Sequence, residues 1–140
     1  MTIQDLLKKH EALYLKPYRD TVGKLTIGVG RNLDDVGITN AEAAFMLNND
    51  INRVIGELQE NFDWYDSLDD VRKMVVIDMT FNLGIQGFLK FKNTINLISQ
   101  GMWEEASKEM LNSTWAIQVG KEEGQRAWEL SEMMRTGEIE

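Results

Sequence analysis

Near Thr39 the spacing of apolar residues changes from a β pattern to a helical pattern, and this change limits the folds that the chain can adopt. Over about residues 14–33 the chain is rich in β-forming residues, which are divided by Gly23, Gly28 and Gly30. That pattern is typical of a small antiparallel sheet with tight turns. After Thr39, apolar side chains recur every three or four residues, as on the buried face of a helix. The sequence therefore predicts a small β-containing lobe followed by a larger helical part.

Three capping boxes mark where the predicted helices begin. Thr2–Asp5 opens a short helix over about 3–11, and Thr39–Glu42 opens the long helix that joins the two lobes. Ser67–Asp70 opens a helix over 71–83 that is apolar nearly all round, which is typical of a buried central helix. Four shorter helices are predicted over 93–100, 103–111, 113–119 and 123–134.

Composition excludes several classes of function. The 140 residues include no cysteine and one histidine, so a thiolate nucleophile, a histidine-built metal site and a Ser-His-Asp triad lack the residues they need. The formal net charge of −8 argues against a nucleic-acid partner, because such proteins carry a concentrated basic face. No apolar run approaches the roughly 18 residues of a membrane span, and the N-terminus does not read as a signal peptide. We therefore expect a single domain over 1–140 whose acid–base chemistry uses carboxylates.

Two carboxylates and a threonine have a spacing that suits glycoside hydrolysis. Glu11 closes the first predicted helix, and Asp20 and Thr26 lie on the predicted hairpin that follows. A hairpin can bring Asp20 and Thr26 together, with Glu11 on the opposite wall of a cleft, and glycosidases need a carboxyl group on each side of the bond. Each residue also has a structural alternative: a solvated helix end, a turn aspartate and an ordinary strand threonine. The spacing alone is therefore a weak signal.

The same residues carry a resemblance to the phage-type lysozymes, the endolysins of glycoside hydrolase family 24. The segments His10–Asp20 and Gly23–Leu33 keep that family's acid, its Tyr-x-Asp and its Thr-Ile-Gly-x-Gly, except that Ala12 stands where glycine is usual after the acid. The loop between Leu33 and Ile38 is shorter than in the T-even branch. Further similarity to that branch lies in Tyr65–Arg72, Thr80–Gly84, Phe91–Thr94, Trp115, Arg126–Ala127 and Arg135–Gly137.

The resemblance implies an α+β lysozyme-like fold, with lobes of about 12–60 and 61–140 and helix 3–11 packed on the C-terminal lobe. It implies a muramidase that hydrolyses the β-1,4 bond between N-acetylmuramic acid and N-acetylglucosamine in peptidoglycan. Glu11 would be the general acid, and Asp20 and Thr26 would hold the attacking water, so the reaction would invert the anomeric centre.

Other implied roles concern the sugar groove and its support. Phe81 and Thr94 match groove positions, and Arg126 matches an arginine near the catalytic acid. Asn32 and Glu109 also fall at groove positions but replace a leucine and an asparagine. We further predict that Arg31 pairs with Asp50, because the matching T-even positions pair.

The resemblance also implies a biological setting. We expect a monomer without cofactor or metal that is made in the cytoplasm of a phage-infected host. It would reach the wall through a pore of the holin type and would not insert stably in the membrane. Two alternatives come from other classes: a catalytically silent wall-binding or virion structural domain, and a helical regulatory or interaction module. Intact Glu11, Asp20 and Thr26 count against the first, and the glycine-rich β segment counts against the second.

Overall fold

A computed structural model describes residues 1–139 and shows the predicted α+β architecture, a small sheet near the N-terminus followed by helices. The three strands are β1 Tyr14–Arg19, β2 Leu25–Gly28 and β3 Arg31–Asn32. The α-helices are α1 Ile3–Glu11, α2 Asn40–Asn61, α3 Asp70–Leu89, α4 Lys92–Ser99, α5 Trp103–Leu111, α6 Thr114–Val119 and α7 Arg126–Thr136, with a 3-10 turn at Tyr65–Ser67. The prediction of a lysozyme-like α+β fold is confirmed.

The strands form one antiparallel sheet in the order β1-β2-β3. Tyr18 pairs with Thr26 across β1 and β2, and Thr26 pairs with Asn32 across β2 and β3. An irregularity in the β1–β2 register falls between Tyr14 and Tyr18. Because directly opposed residues in an antiparallel sheet project from the same face, the pairing places Tyr18, Thr26 and Asn32 on one face.

Two of the three predicted capping boxes are present. The Thr2 hydroxyl accepts from the backbone N–H of Asp5 at 3.1 Å while the Asp5 carboxylate accepts from the N–H of Thr2. Thr39 and Glu42 form the same reciprocal pair at the start of α2.

The third box is wrong. Helix α3 begins at Asp70 and is capped by Asp69, while Ser67 lies in the preceding 3-10 turn and donates to the carbonyl of Trp64. Two acidic residues adjoin at this position, and the structure uses the Asp69 side chain as the cap. The helix also continues past its predicted end to Leu89, with a kink at Gly84, where φ is +74°.

The chain divides into two compact units, Met1–Leu47 and the part from Asn48 onward, with the division inside α2. The first unit holds α1, the sheet and the first turns of α2. The predicted lobe boundary at 60/61 and the packing of helix 3–11 on the C-terminal lobe stay predictions. Among residues 1–139 no helix combines the length and apolar character needed to span a membrane.

The hydrophobic core lies in the second unit. Val75, Val76 and Met79 of α3 are fully buried. Met74 of the same helix is 41% exposed, so the helix predicted to be buried all round is buried on one face. The neighbours of the buried residues include aromatic rings that pack edge to face, such as Phe91 against Trp115 with centroids 6.1 Å apart. The fully covered members of this core include Leu58, Phe88, Met110, Ala116, Ala127 and Met134. This packing fixes the helices that carry Phe81, Thr94 and Arg126.

Candidate functional site

Glu11 is the last residue of α1, and its side chain lies against the turn between β2 and β3. A Cβ atom placed on Gly30 would lie 2.9 Å from Oε2 of Glu11 and 3.1 Å from its Cδ. The carboxyl group therefore fills the space in which any other residue at position 30 would carry a side chain. Glu11 itself is exposed. Within the first unit no group donates a hydrogen bond to this carboxylate, so its position there depends on packing.

The residue after Glu11 has an unusual backbone. Ala12 has φ +63° and ψ 170°, and it is the only residue other than glycine with a positive φ among residues 1–139. That region of backbone space is essentially reserved for glycine. The Ala12 N–H still donates to the carbonyl of Lys8 at 2.9 Å, which closes the last turn of α1. The conformation explains why glycine is usual here in the lysozyme pattern.

Asp20 sits at the turn that joins β1 to β2. Its Oδ1 accepts hydrogen bonds from the backbone N–H groups of Val22 at 3.0 Å and Lys24 at 2.8 Å. Its own N–H donates to the carbonyl of Lys24 at 2.9 Å, so Asp20 and Lys24 face each other. Asp20 therefore does stabilise a turn, which is the structural role considered for it above. Both backbone N–H groups donate to Oδ1, however. Oδ2 accepts no hydrogen bond within the described chain.

Thr26 lies on the same face of the sheet as Asp20. The side chain is buried at 3% exposure, and its hydroxyl donates to the carbonyl of Lys24 at 2.9 Å. Because the single hydroxyl proton is used in that bond, the Thr26 oxygen can act toward a further partner only as an acceptor. Asp20 and Thr26 therefore present two acceptors, one on a carboxylate and one on a hydroxyl, at diagonal positions of one hairpin.

Tyr18 is a site neighbour that the sequence analysis did not select. Partial burial raises the pKa of the Tyr18 phenol, and the negative charges of Tyr14, Glu11 and Asp20 raise it further. The Tyr14 and Tyr18 ring centroids are 4.3 Å apart. Tyr18 is therefore close enough to both the Glu11 and the Asp20 carboxylates for each charge to act on its phenol. Its place in the Tyr-x-Asp pattern was the one sequence signal that could have identified it.

The predicted Arg31–Asp50 pair is wrong. The Arg31 guanidinium donates to both oxygens of Glu42, at 2.8 and 2.7 Å, and to the carbonyl of Gly37. Asp50 instead pairs with Arg53, one turn further along α2, at 3.3 Å. The short loop before α2 places Glu42 in the first turn of the helix, about 12 Å along its axis from Asp50. The bidentate bond lowers the pKa of Glu42 from 4.5 to about 2, with a second contribution from the Thr39 N–H.

Asn32 is occupied by a local turn. Its side-chain oxygen accepts from the N–H of Asp35 at 2.9 Å, and its amide nitrogen donates to the Asp35 carboxylate at 3.0 Å. Since it pairs with Thr26 across β2 and β3, it shares the face that carries Asp20. Its role in binding a sugar stays a prediction.

The remaining predicted residues belong to the second unit. Arg126 of α7 donates through Nε and Nη2 to one oxygen of Asp78 of α3, at 3.0 and 2.7 Å. Phe81 is 43% exposed on α3. Thr94 is buried at the wall of an open groove of about 570 Å³, which Glu109 also lines. The groove contains aromatic, amide and basic side chains: Phe91, Trp115, Asn93, Gln118, Lys90 and Lys92.

The carboxylates of the described residues do not converge as metal ligands. No group of three or more histidine, cysteine or acidic side chains in residues 1–139 has the geometry of a metal site. The first unit presents an exposed carboxyl group, Glu11, and a pair of acceptors, Asp20 and Thr26.

Comparison with known proteins places these residues in context. A family model described as phage lysozyme matches residues 8–129. "Probable T4-type lysozyme 1" of Dictyostelium discoideum is 33% identical over 84% of this chain and 86% of its own length. "Probable T4-type lysozyme 2" of the same organism is 30% identical over 86% and 88%. The pre-baseplate central spike protein Gp5 of Enterobacteria phage T4 is 25% identical over the whole chain, which corresponds to 28% of that protein.

Proposed function

Because the chain belongs to the phage lysozyme family, and is thus a glycosidase of the muramidase type, we propose that it hydrolyses the β-1,4 bond between N-acetylmuramic acid and N-acetylglucosamine in bacterial peptidoglycan. The observation that carries the proposal is the arrangement in the first unit. An exposed Glu11 carboxyl group lies on Gly30, and the hairpin beside it presents Asp20 and Thr26 as paired acceptors. Cleavage of a glycosidic bond requires these two functions, a proton donor and a group that directs water.

In the proposed mechanism Glu11 donates a proton to the leaving glycosidic oxygen. Within the first unit its carboxyl group makes no hydrogen bond that would have to break first. A water molecule donates one hydrogen bond to the free Oδ2 of Asp20 and another to the Thr26 oxygen. Its lone pair attacks the anomeric carbon from the side opposite the leaving group. As this bond forms and the glycosidic bond breaks, the water proton that faces Asp20 passes to the Asp20 carboxylate.

This arrangement favours inversion over a covalent intermediate. The Thr26 hydroxyl proton is held by the Lys24 carbonyl, which leaves an acceptor suited to water beside Asp20. An inverting enzyme acting on a β-linked sugar forms the α-anomer first. Proton NMR of a chitooligosaccharide or muropeptide digest, recorded before mutarotation, should show that anomer. Initial formation of the β-anomer, or a glycosyl adduct on Asp20 detected by mass spectrometry, would contradict inversion.

Bond specificity is tested on purified peptidoglycan. The digest is reduced with borohydride and analysed by mass spectrometry, so that the sugar at each new reducing end is identified. A muramidase yields reduced N-acetylmuramic acid, whereas cleavage of the alternate bond yields reduced N-acetylglucosamine. New amino groups without new reducing ends would show an amidase or peptidase instead. A chain that gives none of these products, but sediments with the wall, would be the catalytically silent wall-binding domain.

The proposed biological role is lysis of a bacterial host by a phage. In this role the enzyme is a monomer that accumulates in the host cytoplasm and reaches the wall through a holin-type pore. Expression in a bacterium with and without a holin tests this directly, since lysis should require both proteins. Elution as a dimer in light-scattering chromatography would contradict the monomeric state. Lysis by the enzyme alone would contradict the dependence on a holin.

A second candidate role is a lysozyme domain carried on a virion. It is favoured by one observation: the chain matches, along its whole length, a part of a phage protein named as a central spike. The two Dictyostelium relatives, by contrast, match over most of their own length and favour a free enzyme. Immunodetection of the protein in purified particles separates these roles, because a free endolysin stays in the lysate supernatant.

A further inference from the structure

Two features of the structure disfavour a side chain at position 30: the backbone conformation of Gly30 and its contact with Glu11. Its φ of +67° already favours glycine. In addition, an added Cβ would lie 2.9, 3.1 and 3.2 Å from the Oε2, Cδ and Cγ atoms of Glu11. Carbon atoms in van der Waals contact lie about 3.5–4.0 Å apart, so the last three atoms of Glu11 occupy this space. The positive φ and the contact with Glu11 are therefore two separate reasons why position 30 requires glycine.

At Gly28, two residues earlier, only the positive φ favours glycine. Its φ is +70°, nearly the same as that of Gly30, and a Cβ added there would meet nothing within 4 Å. Gly28 is the last residue of β2, and Gly30 lies in the turn between β2 and β3. A comparison of the two positions thus separates the backbone requirement from the contact with Glu11.

We propose that Gly30 is a positioning residue: its missing side chain leaves the space that holds the Glu11 carboxyl group in place for proton transfer. The rest of the first unit supplies no hydrogen bond for this carboxylate, and the α1 backbone ends at Glu11 itself. A methyl group at position 30 would push the carboxyl group aside while leaving it exposed. The proposal rests on the proposed function for the role of Glu11, but the contact is a property of the fold alone.

The test compares Gly30→Ala with the matched control Gly28→Ala. Both variants place a methyl group on a left-handed backbone, so both should lower Tm, and Gly30→Ala should lower it further because the methyl group also overlaps Glu11. A displacement of about 1 Å at a reacting group can cost about 10²-fold in rate. We therefore expect Gly30→Ala to lower kcat by about 10–100-fold with KM within about twofold, and Gly28→Ala to retain kcat within about twofold. Equal kcat values for the two variants would overturn the proposal.

A second measurement does not depend on activity. Carbon-13 NMR of the glutamate side chains should show a changed Glu11 carboxyl chemical shift in Gly30→Ala and an unchanged one in Gly28→Ala. If the unmodified protein does not hydrolyse peptidoglycan yet this difference appears, the proposed function fails and the contact stands. If hydrolysis occurs but the Glu11 signal is the same in both variants, the contact has no positioning role.

A compensating substitution covers the case in which Gly30→Ala does not fold. Glu11→Asp draws the carboxyl group back by one methylene, which removes its overlap with the new methyl group. In the Gly30→Ala chain this change should recover folding and raise Tm, whereas in the Gly28→Ala chain it should not. Failure to recover the Gly30→Ala chain would show that the backbone, and not Glu11, excludes a side chain at position 30.

Discussion

Replacement of Ala12 by glycine should stabilise this protein, against the usual effect of introducing glycine. At φ +63° and ψ 170° a residue with a Cβ has a strain of about 1–3 kcal/mol. Glycine relieves that strain but gains freedom in the unfolded chain, which costs about 0.4–1 kcal/mol. The net expectation is a gain of about 0.5–2 kcal/mol. We expect no other contribution to the free energy of unfolding, because Ala12 is exposed and the hydrogen bond from its N–H to the Lys8 carbonyl remains in the variant.

Thermal unfolding is a suitable assay for this change. For a chain of 140 residues the entropy of unfolding makes 1 kcal/mol equivalent to about 3–4 °C in Tm. Ala12→Gly should therefore raise Tm by about 2–7 °C. Ala44→Gly is the matched control, because Ala44 is also exposed but lies inside α2. There glycine should cost about 0.5–1 kcal/mol and lower Tm. A fall in Tm for Ala12→Gly similar to that of the control would refute the assignment of strain.

Two further predictions concern charge. The coupling between Arg31 and Glu42 is measured in Tm by a double-mutant cycle of Arg31→Met and Glu42→Gln. Because the pKa of Glu42 is lowered in the folded state, the coupling should be full above pH about 4.5 and lost below pH about 2. A coupling that persists unchanged at pH 2 would contradict this prediction. Since a chain of net charge −8 and an anionic wall repel each other, hydrolysis should rise as salt increases from about 0.01 to 0.1 M. Faster hydrolysis at the lowest salt would contradict it.

Local signals in the sequence predicted the elements well. The capping boxes at Thr2 and Thr39 predicted the starts of α1 and α2 because each box is closed by side chains three residues apart. The glycine pattern predicted the sheet for a similar reason, since its tight turns depend on a few adjacent residues. At Ser67 the capping-box pattern predicted the wrong cap, because another residue nearby can also cap the helix. The adjacent Asp69 also has a side chain that can cap α3, and it does so.

Non-local features of the site were beyond the sequence. Arg31 pairs with Glu42, which is 11 residues further along the chain, and no local pattern in the sequence distinguishes Glu42 from Asp50 as the partner. The contact between Glu11 and Gly30 joins residues 19 positions apart and has no signature beyond a glycine that the turn already explains. Ala12 shows the same limit, because an alanine in sequence gives no sign of a positive φ.

The proposed function assigns to Glu11 the role of general acid in a muramidase. The most direct test compares the unmodified chain with Glu11→Gln in the rate at which purified peptidoglycan yields new N-acetylmuramic acid reducing ends. The amide has the same shape but cannot donate the proton, so the rate should fall by about 10²–10⁴-fold. Tm should change little, because Glu11 is exposed and makes no hydrogen bond within the first unit. A Glu11→Gln protein that releases those ends at a near-native rate would show that Glu11 is not the general acid.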